Sequence, residues 1–258
     1  MTKIEGSAFY QSSLESINIP PSVTSLGWGA FRSCPSLVMD ELYLPNLTGN
    51  LDGGQFGLGA QIRKVTSLGS ITSMKETFGG NKLLEMCILP DTLTKLSGGV
   101  FSGCSNLRTL VLKQENIILL SSSVFLNCTN LQIEIDLPNL STLDKDGESC
   151  FANSGITKVL NLGATSIYQN NMFKDCKNLT YVNLPSTTTT VGYNVFNGCS
   201  NLETLIVNAT TPPTLGHATF WGCDKMTIYV PDDSVDAYKA ATGWVGYASR
   251  IKGISELQ

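Results

Sequence analysis

Residues 195–207 read VFNGCSNLETLIV, and residues 100–112 read VFSGCSNLRTLVL, so nearly the same thirteen letters occur twice in the chain. A catalytic motif is normally needed once, whereas a structural unit can be copied. The phenylalanines indicate copying, because each one follows the previous one after 22 to 26 residues. They are Phe9, Phe31, Phe56, Phe78, Phe101, Phe125, Phe151, Phe173, Phe196 and Phe220. The spacing predicts about ten copies of one unit of roughly 23 residues.

Each unit combines a few fixed positions with a strand-like stretch. Cysteine often stands three residues after the Phe and Leu three residues further on, as in Cys104 and Leu107. The letters that follow, such as LRTLVL, alternate apolar and variable residues, which is typical of a half-buried strand. Proline closes several of these strands, for example at Pro185, because it has no N–H to give to a ladder. The segment after the proline suits an irregular turn or short helix that returns the chain and buries the next Phe.

A single unit is too small to fold alone. Ordering the backbone costs roughly 1 to 2 kcal/mol per residue, whereas each buried apolar side chain contributes only about 1.5 to 3 kcal/mol. Units in register share a strand ladder and an interior, so stability accumulates along the stack. We therefore expect an α/β-type solenoid, a curved right-handed stack of about ten turns. A parallel sheet would form its concave face, and irregular turns or short helices its convex face.

The pattern L-x-x-L-x-L-P…L-x-x-I/L-x-x-x-x-F-x-x-C-x-N-L resembles the BspA-like (Treponema pallidum-type) leucine-rich repeats, from residue 2 to Val230. Asn81 and Ser154 depart from it, since they stand at Cys positions. The resemblance implies a leucine-rich repeat fold and a bacterial cell-surface or secreted protein that acts in adhesion or host interaction. It also implies an extracellular or cell-surface location, although the opening MTKIEGSAFY has no features of a signal peptide.

The chain divides into a solenoid over residues 1–225, whose first repeat is incomplete, and a last strand with a C-terminal helical cap over residues 226–258. Both belong to one continuous domain. Asp232, Asp233 or Ser234 can cap a helix in which Val235, Tyr238 and Ala241 share one face. Trp244, Tyr247 and Ile251 then cover the last turn. The front of the chain begins inside a repeat, so we expect an uncapped N-terminal edge.

The eight cysteines are expected to be buried free thiols rather than a disulfide framework. Their equivalent positions in neighbouring turns are often held by other residues, as Ser12 and Gly59 flank Cys34 in the stack. Cys104 with Cys128, and the run Cys176, Cys199 and Cys223, do occupy adjacent turns, and their pairing stays open. A zinc site is disfavoured because ligands in adjacent turns form a line and not a tetrahedron.

Signals for enzymatic chemistry are thin. His217 is the only histidine, which excludes a multi-histidine metal site, and its place before a repeat Phe favours a surface position. The acidic stretch DKDGE at 144–148 is interpreted as a loop insertion. We predict no catalytic, cofactor-binding or metal-binding residue. A net charge of −4 without a Lys/Arg cluster disfavours nucleic acid, and no apolar stretch is long enough to cross a bilayer.

The remaining candidate is the outward side of the predicted sheet, which mixes aromatic, aliphatic and hydroxyl residues with few charges. Strands favour such residues in any case, so composition alone does not establish binding. The candidate face consists of Tyr43, Lys64, Met86, Ile88, Thr109, Val111, Glu134, Asp136, Lys158, Tyr181, Asn183, Thr204, Ile206, Thr227 and Tyr229.

Two hypotheses follow. The first is a non-enzymatic recognition or adhesion module that binds a protein, such as a host matrix or cell-surface protein, or a glycan through the concave face. The alternative is a structural spacer or assembly segment that stacks on another domain or protomer through the uncapped N-terminal edge. The sequence leaves the ligand and the oligomeric state open.

Overall fold

The repeated unit folds as one turn of a parallel β-solenoid. The computed structural model describes residues 1–143 and 148–257, so most of the predicted insertion at 144–148 lies outside the described residues. In most units the alternating stretch forms a strand that pairs in parallel with the strand of the next turn, and we call this ladder the main sheet. Its first part contains β3 (Val38–Tyr43), β5 (Gln61–Ser67), β7 (Met86–Ile88) and β9 (Thr109–Val111). Its second part contains β11 (Glu134–Asp136), β13 (Lys158–Asn161), β15 (Tyr181–Leu184), β17 (Thr204–Val207), β19 (Thr227–Val230) and β20 (Ile251–Gly253).

Short parallel strands also line the return path of most turns, and we call them the second sheet. Their inward residues, such as Leu96 and Leu120, are buried. The strands pair in three groups. The first group is β1 (Lys3–Ile4) with β2 (Ser25–Leu26). The second is β4 (Thr48–Leu51), β6 (Ser70–Lys75), β8 (Lys95–Ser97), β10 (Leu119–Leu120) and β12 (Thr142–Leu143), and the third is β14 (Ile167–Tyr168), β16 (Thr190–Val191) and β18 (Thr214–Leu215).

Helix is scarce in the described residues, so the α/β character expected from the sequence is largely missing. Residues 1–143 and 148–257 contain one α-helix, α1 (Val235–Ala240), and it lies in the C-terminal cap. The 3₁₀-helices are Gln114–Asn116, Asp232–Ser234, Val245–Arg250 and Ile254–Glu256. Between the strands of most turns, the place expected for short helices is taken by the second sheet and by turns. The result is a β-solenoid of about 11 turns.

The ten phenylalanines form one continuous stack through the interior. Neighbouring ring centroids lie 5.1 to 6.0 Å apart, and the ring planes differ by at most 23°. The residues two before and two after each Phe have positive φ, for example Ser123 and Asn127 around Phe125. These positions hold mostly Gly, Asn, Ser and Asp, and Gly and Asn accept that conformation at low cost. We call the segment from three residues before to two residues after each Phe the Phe corner.

Backbone bonds join the Phe corners of successive turns. The amides of Gly99, Phe101 and Gly103 donate to carbonyl oxygens of the next turn at 3.0, 2.9 and 2.7 Å. The same three bonds recur from the first Phe corner onward, and their spacing follows the Phe period. This ladder stays intact where each sheet is interrupted, so the corner is the most regular part of the stack.

The cysteines are free and buried, as expected. Six of the thiols donate to the carbonyl oxygen of the Phe in the preceding turn, as Cys199 Sγ does to Phe173 O at 3.1 Å. Asn81, at a Cys position, donates from Nδ2 to Ile62 O at 3.0 Å instead. The repeated Cys therefore fills the interior and also satisfies a backbone acceptor.

The main sheet is interrupted between β9 and β11, where the 3₁₀-helix Gln114–Asn116 is inserted. The side chain of Gln114 bridges the gap, because its Nε2 donates to Glu134 O at 3.0 Å and its Oε1 accepts from Asp136 N at 2.7 Å. A side-chain amide thus supplies the two bonds that a neighbouring strand would make. The second sheet continues across the same turns through β8, β10 and β12.

The C-terminal segment packs over the last turn and closes the stack at that end. Phe220 meets Trp244 and Tyr247, at centroid distances of 5.9 and 5.3 Å. Tyr238 donates its hydroxyl to Ala209 O, and Trp244 donates Nε1 to Pro213 O, both at 2.7 Å. Ser234 is the N-cap residue of α1 but makes no side-chain capping bond. Ile251 is buried in β20, a strand that the sequence did not reveal and that adds to the edge of the main sheet.

Candidate recognition surface

The outward residues of the main sheet form rows, because the parallel strands pair without a shift over most of their length. Lys64 lies beside Met86, and Met86 beside Thr109. In the second part of the sheet, Tyr181 lies between Lys158 and Thr204. Successive side chains of a strand alternate between faces, so these rows lie opposite the buried interior. The sheet therefore presents ordered lines of side chains to its surroundings.

The structure places all the predicted face residues on strands of the main sheet and brings most of them to the surface. Ile206 is the exception, since it is 7% exposed and lies between Asn183 and Tyr229 in the ladder, so the expectation that it is accessible is wrong. The exposed members are Tyr43, Lys64, Thr109, Val111, Glu134, Asp136 and Lys158. The half-buried members are Met86, Ile88, Tyr181, Asn183, Thr204, Thr227 and Tyr229.

Some of the charges on this side of the molecule are paired across neighbouring turns. Lys158 Nζ lies 2.7 Å from Glu134 Oε1, and Arg63 NH1 lies 2.8 Å from Glu85 Oε1. By contrast, the outward positions of β15, β17 and β19 carry no charged residue. Among them, Asn183 accepts a hydrogen bond from Asn208 Nδ2 at 2.7 Å. The face therefore contains an uncharged section with two tyrosines, Tyr181 and Tyr229, two strands apart.

The cysteine thiols, the strongest potential nucleophiles of the chain, are buried. Burial raises the pKa of Cys128 to about 12 and of Cys176 to about 11, so these thiols stay protonated near neutral pH. His217 lies on the surface, as predicted. Within residues 1–143 and 148–257, no group of three or more His, Cys, Asp or Glu side chains could hold a metal ion.

Exposed aromatic residues also occur at the Phe corner, which the sequence reasoning did not single out. Trp28 is 58% exposed and Trp221 is 72% exposed, and Tyr10 and Tyr193 are exposed as well. Trp28 and Tyr193 stand three residues before a repeat Phe, and Tyr10 and Trp221 stand one residue after one. These positions hold mainly small or polar residues in other turns, and that contrast was the signal available in the sequence.

A parallel stack with this interior and this outward sheet defines a leucine-rich repeat solenoid. The chain belongs to the BspA-type leucine-rich repeat family, because the family model described as "BspA type Leucine rich repeat region" matches it in six copies over residues 2–132, 55–170 and 100–227. A comparison with curated protein sequences finds no match.

Two solved structures show the same fold. A leucine-rich repeat protein from Bacteroides ovatus is 18% identical, with a TM-score of 0.53, and the match covers 98% of this chain and 75% of that one. A leucine rich cell surface protein from Faecalibacterium prausnitzii is 19% identical, with a TM-score of 0.50 and coverage of 98% and 82%. At such identities the likeness concerns the fold. In the part of the chain that the structure describes, no helix is long and apolar enough to cross a membrane.

Proposed function

We propose that this chain is a non-enzymatic recognition or adhesion module of a bacterial cell-surface or secreted protein. It binds protein or glycan through the outward face of the main sheet. The family supports this role, and the relative from Faecalibacterium prausnitzii is described as a cell surface protein. The observation that carries the proposal is the uncharged section of the face on β15, β17 and β19.

The uncharged section offers a partner the side chains of two tyrosines. Tyrosine presents a large contact area and a hydroxyl, and it is enriched at binding hot spots. Tyr181 and Tyr229 are half-buried, and the strands beneath them hold their positions in register. The absence of charged groups at the outward positions of these three strands removes the desolvation penalty that a buried, unpaired charge would add on binding.

The test is the double substitution Tyr181→Ala with Tyr229→Ala, assayed by surface plasmon resonance on immobilised fibronectin, laminin and collagen. We expect the intact protein to bind at least one of them and the variant to bind at least tenfold more weakly. Tyr193→Ala is the matched control, because it removes an exposed tyrosine from outside the main sheet. Unchanged binding after Thr204→Glu with Thr227→Glu, which charges the same section, would contradict the proposal.

An assembly role is the second candidate. Phe9 stacks on Phe31 at 5.1 Å on one side, whereas the interior rings such as Phe31 and Phe56 stack on both sides. A further turn from another domain or protomer would extend this stack. Light scattering over a range of concentrations tests it: assembly predicts a mass that rises with concentration, and a strictly monomeric protein would count against it.

A further inference from the structure

The Phe corner contains a groove that is separate from the main sheet. It has a volume of about 560 Å³, which lies within the usual range of about 300 to 1,000 Å³ for small-molecule sites. It extends over several turns from Arg32 to Ser123, and Gly79 and Gly99 lie along it. Ser102, Ser122 and Ser123 also line it. The groove therefore offers hydroxyl groups and closely approachable backbone.

An ion pair forms one end of the groove. The guanidinium of Arg32 lies over Gly54, where a Cβ atom would come within 2.4 Å of NH1, and it reaches Glu76 Oε2 at 3.0 Å. Both side chains retain unused hydrogen-bonding capacity, because an arginine has five N–H donors and a carboxylate can accept about four bonds. Their charges cancel, and the other lining residues are Gly, Ser and Leu. The groove therefore carries no net charge, and its polar groups are the ion pair, the serine hydroxyls and the backbone.

An aromatic ring covers the glycine next to the one that Arg32 covers. The indole of Trp28 rests on Gly53, where a Cβ atom would come within 2.4 Å of Cδ1, and Arg32 rests on the adjacent Gly54. Tyr10 lies 6.3 Å from Trp28, with the ring planes tilted by 31°. Although it packs against Gly53, Trp28 stays 58% exposed. Such a ring presents an apolar face of negative quadrupole, which attracts the slightly positive C–H groups of a sugar ring.

We propose that this groove, together with Trp28 on the glycine next to its Arg32 end, binds a neutral saccharide chain. One pyranose ring stacks on the indole, the next sugars bond to the Arg32 and Glu76 pair, and a sugar further along the chain bonds to Ser102, three turns away. The turns of the Phe corner repeat every 5 to 6 Å, as the Phe centroids show, which is close to the length of one sugar residue in an extended glycan. Successive sugars would thus meet equivalent positions of successive turns. A charged polymer fits less well, because the groove has no net charge to balance it.

The first experiment is affinity electrophoresis of the full chain in gels containing hydroxyethylcellulose, xylan, a soluble β-1,3-glucan or dextran. We expect at least one polysaccharide to retard the protein. Trp28→Ala and Ser102→Tyr, the second of which fills the groove, should each weaken the retardation at least tenfold. Trp221→Ala is the matched control, since it removes a still more exposed tryptophan from another Phe corner about eight turns away, and it should bind as the intact chain does.

The second readout is tryptophan fluorescence with the retarding polysaccharide. The emission should shift in Trp221→Phe and stay unchanged in Trp28→Phe. Because the site does not include the main sheet, Tyr181→Ala with Tyr229→Ala should retain full saccharide binding, which distinguishes this proposal from the preceding one.

The groove proposal is overturned if none of the four polysaccharides retards the chain, if Trp28→Ala and Ser102→Tyr bind normally, or if Trp221→Ala loses as much binding. Retention of gelatin instead, lost in Trp28→Ala, would assign the groove to a peptide and likewise overturn it.

Discussion

The Phe corner and the main sheet arise from the same repeated unit, yet an insertion in the repeat interrupts only the main sheet. At the corner, three backbone bonds recur between turns, and the ring stack passes from Phe101 to Phe125 at 5.6 Å without a gap. Between the same two turns the main sheet is interrupted, and the side chain of Gln114 takes the place of a strand. The buried stack of Phe rings, which we call the column, keeps the turns in register. The main sheet tolerates an insertion, because a side chain there replaces the lost backbone bonds. Variation on the sheet is therefore compatible with a constant fold.

The sharpest test of this contrast is truncation of a ring in the column. Phe101 is fully buried between Phe78 and Phe125, so Phe101→Ala leaves a cavity and should lower the free energy of unfolding by about 3 to 5 kcal/mol. Urea denaturation followed by circular dichroism measures it. Val111→Ala, on the exposed side of β9, should change stability by less than about 0.5 kcal/mol. An equal loss of unfolding free energy in Phe101→Ala and Val111→Ala would show that the Phe stack is no more important for stability than the outward face of the main sheet.

The buried thiols make the free energy of unfolding depend on pH in the alkaline range. Burial raises the pKa of Cys128 to about 12 and of Cys176 to about 11, whereas an unfolded thiol titrates near about 8.5. Because folding raises the pKa of each thiol, its contribution to the free energy of unfolding is fully present below the pKa of the unfolded state. The contribution is lost as the pH rises towards the pKa of the folded state. We therefore expect the free energy of unfolding to fall between about pH 9 and 11, by up to about 1.4 kcal/mol per pH unit for each thiol.

Urea denaturation at a series of pH values measures this slope. The variant Cys128→Ala with Cys176→Ala serves as the control, and its stability should fall less steeply above pH 9. If both proteins gave the same slope, these two thiols would not be the cause.

The smallest expected effect concerns the interruption of the main sheet between β9 and β11, which the side chain of Gln114 bridges. Gln114→Ala removes the bonds to Glu134 O and Asp136 N at a partly exposed site, so we expect a loss of about 1 to 2 kcal/mol. Amide hydrogen exchange at Asp136 should also become faster. Gln132→Ala, at an exposed position, is the control and should have little effect. Unchanged exchange at Asp136 would show that the side-chain amide does not stand in for a strand.

Much of the fold could be predicted from the sequence, because the Phe period and the alternation after each Cys report directly on burial. Strands such as Ser25–Leu26 and Thr190–Val191 could not, since two residues are too few to show an alternation. The strand Ile251–Gly253 was missed because it lies outside the repeats. The curvature and handedness of the stack stay predictions.

The candidate face was predicted in position but not in detail. Alternation assigns Ile206 to the outward side correctly, but it carries no information on how far Asn183 and Tyr229 cover it. The groove of the Phe corner depends on side chains that lie over glycines of the next turn, as Arg32 does over Gly54. This contact joins residues 22 positions apart and leaves little trace in a single sequence.

The direction of the corner bonds gives the whole stack a polarity. In every joint described above, an amide of one turn donates to a carbonyl oxygen of the next, as from Phe9 N to Ala30 O at 2.9 Å. The leading end of the column is thus an acceptor end, and the trailing end is a donor end. The C-terminal segment covers the donor end at Phe220, so growth of this pattern is left to the Phe9 end. A further turn could join there only with its amides directed towards the stack, because a head-to-head joint would oppose acceptor to acceptor.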